Sequence, residues 1–186
     1  MKYWFTADEH YGHKNIIEYC NRPFTSVESM DNQIIDRHNK VVGDDDVVIH
    51  CGDFTLKDRN TARNYIRRLK GKHEFLVGSH DYWLNDQISI YPITSEVSTY
   101  ALQGQVIWEK DINGIYVVAC HYAMRTWPRS HHDSIQLHGH SHGTLPVAYN
   151  QLDVGVDSNN FYPVSMEQVL EKIKLINKLC PPIRKE

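Results

Sequence analysis

Nowhere in this 186-residue chain does an apolar run approach the ~20 residues needed to cross a bilayer. No membrane partner is therefore expected. The N-terminus, MKYWFTADEH, has no basic segment leading into an apolar core and a small-residue cleavage site, so a cytoplasmic location is expected. The chain also lacks any CxxC spacing. Its four cysteines, Cys20, Cys51, Cys120 and Cys180, are scattered, and Cys51 and Cys120, in or beside apolar runs, read as small buried hydrophobes. A positive excess is missing too. The formal charge of −3 argues against a domain that holds nucleic acid mainly by overall field. Linkers, repeats and low-complexity tracts are absent, so one domain spanning 1–186 is expected.

What the chain does have is histidine, at 12 residues, most of them at the edges of apolar runs. Neutral imidazole together with carboxylate is the usual N and O donor set for divalent metals.

Short β-like runs alternate with longer helical stretches. KYWFTA (2–7), VVIH (47–50) and EFLV (74–77) read as strands, and helices fall near 14–20, 27–40 and 59–69. This spacing suggests βαβ units and a parallel sheet. Residues 105–120 read as two strands around Asn113-Gly114, a strong hairpin signal. SIQLHG (134–139) and AYNQLDVG (148–155) add further strands. Ser165 with Gln168 forms a capping box before a helix whose apolar face is Val169, Ile173, Ile176 and Cys180, stopped by Pro181-Pro182. The expected fold class is α/β: two packed β-sheets flanked by helices, an α/β/β/α sandwich.

Five apolar runs end in potential ligands: Asp8-Glu9-His10, Asp53, Ser79-His80-Asp81, His121, and His138-Gly139-His140. In open α/β sheets, ligands bind beyond the carboxyl ends of strands. Asp8 and His10 are two apart and would face one side in extended chain, as would His138 and His140. Glycines 52, 78 and 139 beside them allow sharp turns or close approach. For a lone histidine, a hydrogen-bonded core or surface role is the simpler account. Repeated placement of donors at strand ends is not explained that way.

The ordered set D-x-H, G-D, G-(N)-H-D, H and G-H-x-H, followed by LDVGVD (152–157) and PVS (163–165), resembles the calcineurin-like metallophosphoesterases, in particular small bacterial and phage-type members. The resemblance covers nearly the whole chain. It implies two divalent ions, manganese first, with iron, zinc or nickel as alternatives. Asp8, His10, Asp53 and His140 would bind the first. Asp53 would bridge to the second, held also by Ser79, His121 and His138. In-line attack on phosphorus by a metal-bridging hydroxide is implied, with His80 as general acid and Asp81 orienting its ring. His13 and Arg125 are candidates for binding substrate phosphate, and His142 is a weaker one. Glu9 alternates away from Asp8 and reads as structural.

The chain departs from the family pattern at position 79, where Ser replaces Asn. A hydroxyl lacks the amide's reach, so a weakened second metal site is expected. A catalytically impaired scaffold that binds a protein partner is the alternative reading. Substrate signals are sparse. Arg59, Arg63 and Arg67 make a basic stripe, continued by Arg68, Lys70 and Lys72, which reads either as a solvated helix face or as a contact for a nucleotide or nucleic acid. Tyr82, Tyr122 and Trp127 could stack a base or simply wall the cleft. With no large insertion to cap the cleft, phosphodiesters are expected over monoesters.

Overall fold

The computed structural model describes residues 1–84 and 104–181. The first strand, β1 (Tyr3–Thr6), is a short apolar run buried on both faces, as a parallel central strand must be. A four-residue helix, α1 (Ile16–Tyr19), and the longer α2 (Val27–Val41) lead to β2 (Val47–His50). Ser26 caps α2 by accepting from the Ser29 amide, and Met30, Ile34, Ile35 and His38 turn one face inward at helical spacing. Asp58 caps α3 (Arg59–Ile66) through the Asn60 and Thr61 amides. Then come β3 (Lys72–Leu76) and the short β4 (Gly104–Gln105). With β9 (Val164–Ser165) these strands build a five-stranded sheet of order β4-β3-β2-β1-β9, parallel except for β9.

The second sheet opens with the expected hairpin, β5 (Ile107–Ile112) and β6 (Ile115–Cys120). Asn113 and Gly114 both take positive φ at its turn, matching the right-handed twist of the paired strands. Two parallel neighbours, β7 (Ile135–His138) and β8 (Gln151–Asp153), complete the order β5-β6-β7-β8. The fold is the expected one: two packed sheets flanked by helices.

Phe5, Ile49 and Leu76 from the first sheet meet Trp108, Val117, Ile135 and Leu137 from the second in one buried cluster. The final helix, α4 (Met166–Leu179), carries the Ser165–Gln168 capping box and adds Val169 and Ile173 to that cluster. Phe75 of the first sheet and Phe54, beyond β2, pack in one cluster with Met30, Ile34, Ala62 and Trp83. The chain following β6 covers β7 and β8 by hydrogen bonds. Fully buried Gln136 donates to the Tyr122 carbonyl, and Gln151 donates to that of Met124. Among the described residues no helix is long and apolar enough to cross a membrane.

Candidate metal centre

The carboxyl ends of both sheets open onto one seam. After β1 the chain runs beside the segment that follows β2: the Asp8 amide donates to Gly52 O and the His10 amide to Asp53 O, each at 3.0 Å. Across the seam, the His140 amide donates to both Asp8 oxygens at 3.0 and 2.9 Å. His121 Nδ1 donates to Cys51 O at 2.9 Å. The two halves of the sequence are thereby fastened to each other at the residues that carry the chemistry.

Strand alternation does not aim the donors. β1 ends at Thr6 and β7 at His138. Beyond them Asp8, His10, Asp53, His140 and His142 all lie at positive φ, between 46° and 65°. Non-glycine residues seldom occupy this left-handed region, and the strain tends to concentrate at functional sites. Gly139 permits a close approach, since a Cβ there would fall 2.5 Å from Ala7 Cβ and 2.6 Å from Asp8 Oδ2.

Two groups of ligand atoms result: Asp8, His10 and His142, and Asp53, His121 and His140, each set lying within 4.8 Å of one another. The grouping differs in register from the expected ligand sets. His142 stands where His140 was expected, with Asp8 and His10, and His140 takes the place given to His138. His138, the last residue of β7, turns its Nδ1 to Gly139 O and lines a hollow of about 200 Å³ beside α4. The donors brought together are those of the Gly139-His140-x-His142 spacing, whereas two-residue alternation along β7 pairs His138 with His140.

Burial and mutual contact strongly shift the charges of this cluster. Burial pushes the Asp8 carboxyl up to about 7, against the pull of His142 and His121. It pushes His10 down to about 3, although Asp53 opposes it. Burial would also raise Asp53, but the rings of His121 and His10 and the His80 amide hold its carboxyl below the usual range. His121 is raised in spite of burial because Asp53 lies beside it. Its Nε2 and that of His10 lie 3.4 and 3.7 Å from Asp53 Oδ2. Both nitrogens are buried and have no hydrogen-bond partner among the described residues. Orphaned buried nitrogens are costly, and two facing a shared carboxylate fit divalent cations.

Ser79 reaches the centre but donates to Asp53, at 3.0 Å to Oδ2 and 3.3 Å to Oδ1. His80 is half-buried, with its amide on Asp53 Oδ1 and its ring 5.7 Å from that of His10. Asp81 does not orient that ring. Its two oxygens accept from the amides of Asp53, Phe54, Thr55 and Gly78 and from Trp83 Nε1, so it ties the loops after β2 and β3 together. His13 Nδ1 is 3.4 Å from His10 Nδ1. Arg125 is exposed, and among the described residues no hydrogen bond, ion pair or ring contact joins it to the centre.

Glu9 is buried beneath the centre, its Oε1 2.7 Å from His50 Nδ1, which fits the structural role expected. Arg59 donates to Trp83 O, Arg67 to Asn64 and Arg68 to Asn32, so much of the basic stripe is engaged within the fold. Trp127 is pinned to Ser134. Tyr122 is 47 % exposed, edge-on to the His140 ring at 4.7 Å. Neither Arg22 nor Asp157 stands out in the sequence as a candidate by itself. The second lies in the LDVGVD segment already noted for its resemblance.

Fold and site together define an α/β two-sheet sandwich with a paired carboxylate–imidazole centre at its seam. No model of a known protein family matches the chain. It is 29% identical over 186 residues to the uncharacterised protein MJ1445 of Methanocaldococcus jannaschii, covering 95% of this chain and 92% of that one. The gene 66 protein of Mycobacterium phage L5 is 26% identical over 179 residues, covering 83% and 86% respectively. A solved structure of the same fold is AQ665 of Aquifex aeolicus, a protein of unknown function, with TM-score 0.67 and 18% identity, covering 92% of this chain and 99% of that one.

Proposed function

We propose that the chain is a dinuclear-metal-dependent phosphoesterase acting on phosphodiesters in preference to monoesters. The observation that carries this reading is the pair of buried Nε2 atoms of His10 and His121 beside Asp53 Oδ2, neither with a hydrogen-bond partner among the described residues. Asp8, His10 and His142 would hold one divalent cation, and Asp53, His121 and His140 the other, with Asp53 shared. When bound, such a pair supplies a water ionised near neutral pH and positive charge for the phosphoryl oxygens.

The chain's own residues supply the rest. His80 is posted at the rim with its backbone anchored to Asp53, suited to hand a proton to the leaving oxygen. His13, its ring 5.4 Å from that of His10, is suited to contact a phosphate oxygen. Tyr122 gives an exposed aromatic edge beside His140 on which a base or aryl group could rest. Ser79 offers a hydroxyl to the bridging carboxylate instead of an amide oxygen, which supports a weaker second site.

The test is metal analysis of the protein together with a screen of mono-, di- and cyclic phosphate esters with Mn²⁺ supplied. Two equivalents of metal and faster turnover of a bis-aryl phosphate than of an aryl monophosphate are expected. Turnover of no ester, with metal bound, would favour the scaffold alternative. The reverse ranking would overturn the diester assignment.

A further inference from the structure

Arg22 lies just beyond α1, and its side chain is wholly buried. A guanidinium cannot shed its proton, and burying one is expensive unless every donor is met. Its partners here are specific. Nε and Nη2 grip Asp157 Oδ1 and Oδ2, both at 2.8 Å. Nη2 also donates to Asp8 O at 2.7 Å, and Nη1 donates to Glu9 O at 3.0 Å and to the Met30 sulfur. One side chain therefore joins the backbone bearing Asp8 and His10 to a carboxylate 135 positions further along the chain.

Asp157 Oδ2 in turn lies 2.7 Å from His142 Nδ1. A carboxylate held on both oxygens by a guanidinium is an acceptor, so Nδ1 of His142 carries the hydrogen and Nε2 the lone pair. The ring stacks on that of His10 at 5.4 Å and 27°. By proximity Cys20, His142 and Asp157 also form a group able to hold an ion. Yet both Asp157 oxygens and His142 Nδ1 are already engaged, which leaves that group no unengaged carboxylate.

We infer that Arg22 and Asp157 are a positioning pair that fixes the tautomer and aim of His142, presenting its Nε2 to the cation position shared with Asp8 and His10. This rests on the metal-centre reading above. The second position is built differently, because His121 is held through Nδ1 by the neutral Cys51 carbonyl. A carboxylate acceptor raises the basicity of a ligating imidazole, and losing such a partner typically costs about 10–100-fold in metal affinity.

The experiment has two arms. In the metal-free wild-type protein, ¹⁵N NMR of the imidazoles should find His142 as the Nδ1–H tautomer, and this form should be lost or mixed in Asp157→Asn. In titrations of metal-free protein with Mn²⁺, Asp157→Asn should weaken one class of site about 10–100-fold and leave the other unchanged. Adding Asp157→Asn to His142→Ala should have no further effect. Near-UV circular dichroism checks that each variant is folded, and Arg22→Lys, which keeps the charge but loses the fork, should reproduce the loss in part.

An Nε2–H tautomer in the wild type would overturn the inference. So would equal weakening of both sites, or a further loss in the double variant. A wild-type protein that binds no Mn²⁺ would instead sink the metal-centre reading, while the tautomer arm would still report on the pair.

Discussion

Ser79 donates to the carboxylate that would bridge two cations, and that bond competes with metal for the same oxygen lone pairs. Replacing the hydroxyl by an amide should reverse the relation. Ser79→Asn is expected to tighten the second metal and raise turnover, read by Mn²⁺ titration and initial rates. An unchanged affinity would mean that the serine is not the weak point. His80 calls for a different measurement. If it protonates the leaving oxygen, His80→Asn should lower kcat by about 10²–10⁴-fold on esters of poorly acidic alcohols. The loss should shrink on activated aryl esters, whose leaving groups need no proton. A uniform loss across leaving groups would argue for a positioning role.

At the level of elements, the turns after β1, β2 and β7 matter more than the strands. Each strand delivers its chain to the seam, and a left-handed residue then swings a donor inward. This arrangement depends on Gly139, where a side chain would collide with Ala7 and Asp8. Gly139→Ala is expected to destabilise the fold by about 1–3 kcal/mol and to weaken metal binding through displacement of Asp8. Thermal denaturation and Mn²⁺ titration would measure the two effects. A variant with wild-type values in both would show that the turn has slack there.

Beneath those turns, α2, β2 and β3 enclose a second histidine set. His50 Nε2 meets His73 Nδ1 at 2.9 Å, and His38 binds Lys70 O at 2.8 Å. Burial lowers His50 to about 3 and His38 to about 4, and takes His73 well below its ordinary value.

For the molecule as a whole, these buried histidines set a pH dependence. Their pKa values fall on folding, so between about 6.5 and 4 the unfolded chain binds more protons. Stability from them is complete above about 6.5 and is lost as pH drops toward 4. Glu9 acts in the opposite sense: burial raises it to about 7, so its contribution is full below its unfolded value and lost as pH rises through 7. Within this set three lowered imidazoles outweigh one raised carboxyl, and at the seam the lowered His10 and the raised Asp8 oppose each other. The unfolding free energy of chelator-treated protein should therefore fall on acidification from pH 6.5 to 4.5, by about 1.4 kcal/mol per pH unit for each excess proton, read as a lowered melting temperature. A flat profile would mean that the interior accommodates charged imidazole. Added Mn²⁺ should raise the melting temperature at neutral pH in proportion to the logarithm of its concentration, a response that chelator should abolish.

The order of strands and helices, the Asn113-Gly114 hairpin, the Ser165 capping box and the gathering of Asp8, His10, Asp53, His121 and His140 were legible in the sequence. Each rests on local periodicity, turn chemistry or motif order, which neighbouring residues carry among themselves. The placement of His142 beside Asp8 and His10, the structural engagement of Asp81 and the bonding of Ser79 to Asp53 were decided by tertiary structure. Left-handed turns break the strand's two-residue alternation, and contacts between the two sheets determine which side chain meets which. Arg22 and Asp157 show the same limit. Nothing local in a lone arginine or aspartate announces a partner 135 positions away, and only the closing of one sheet on the other brings the two together over His142.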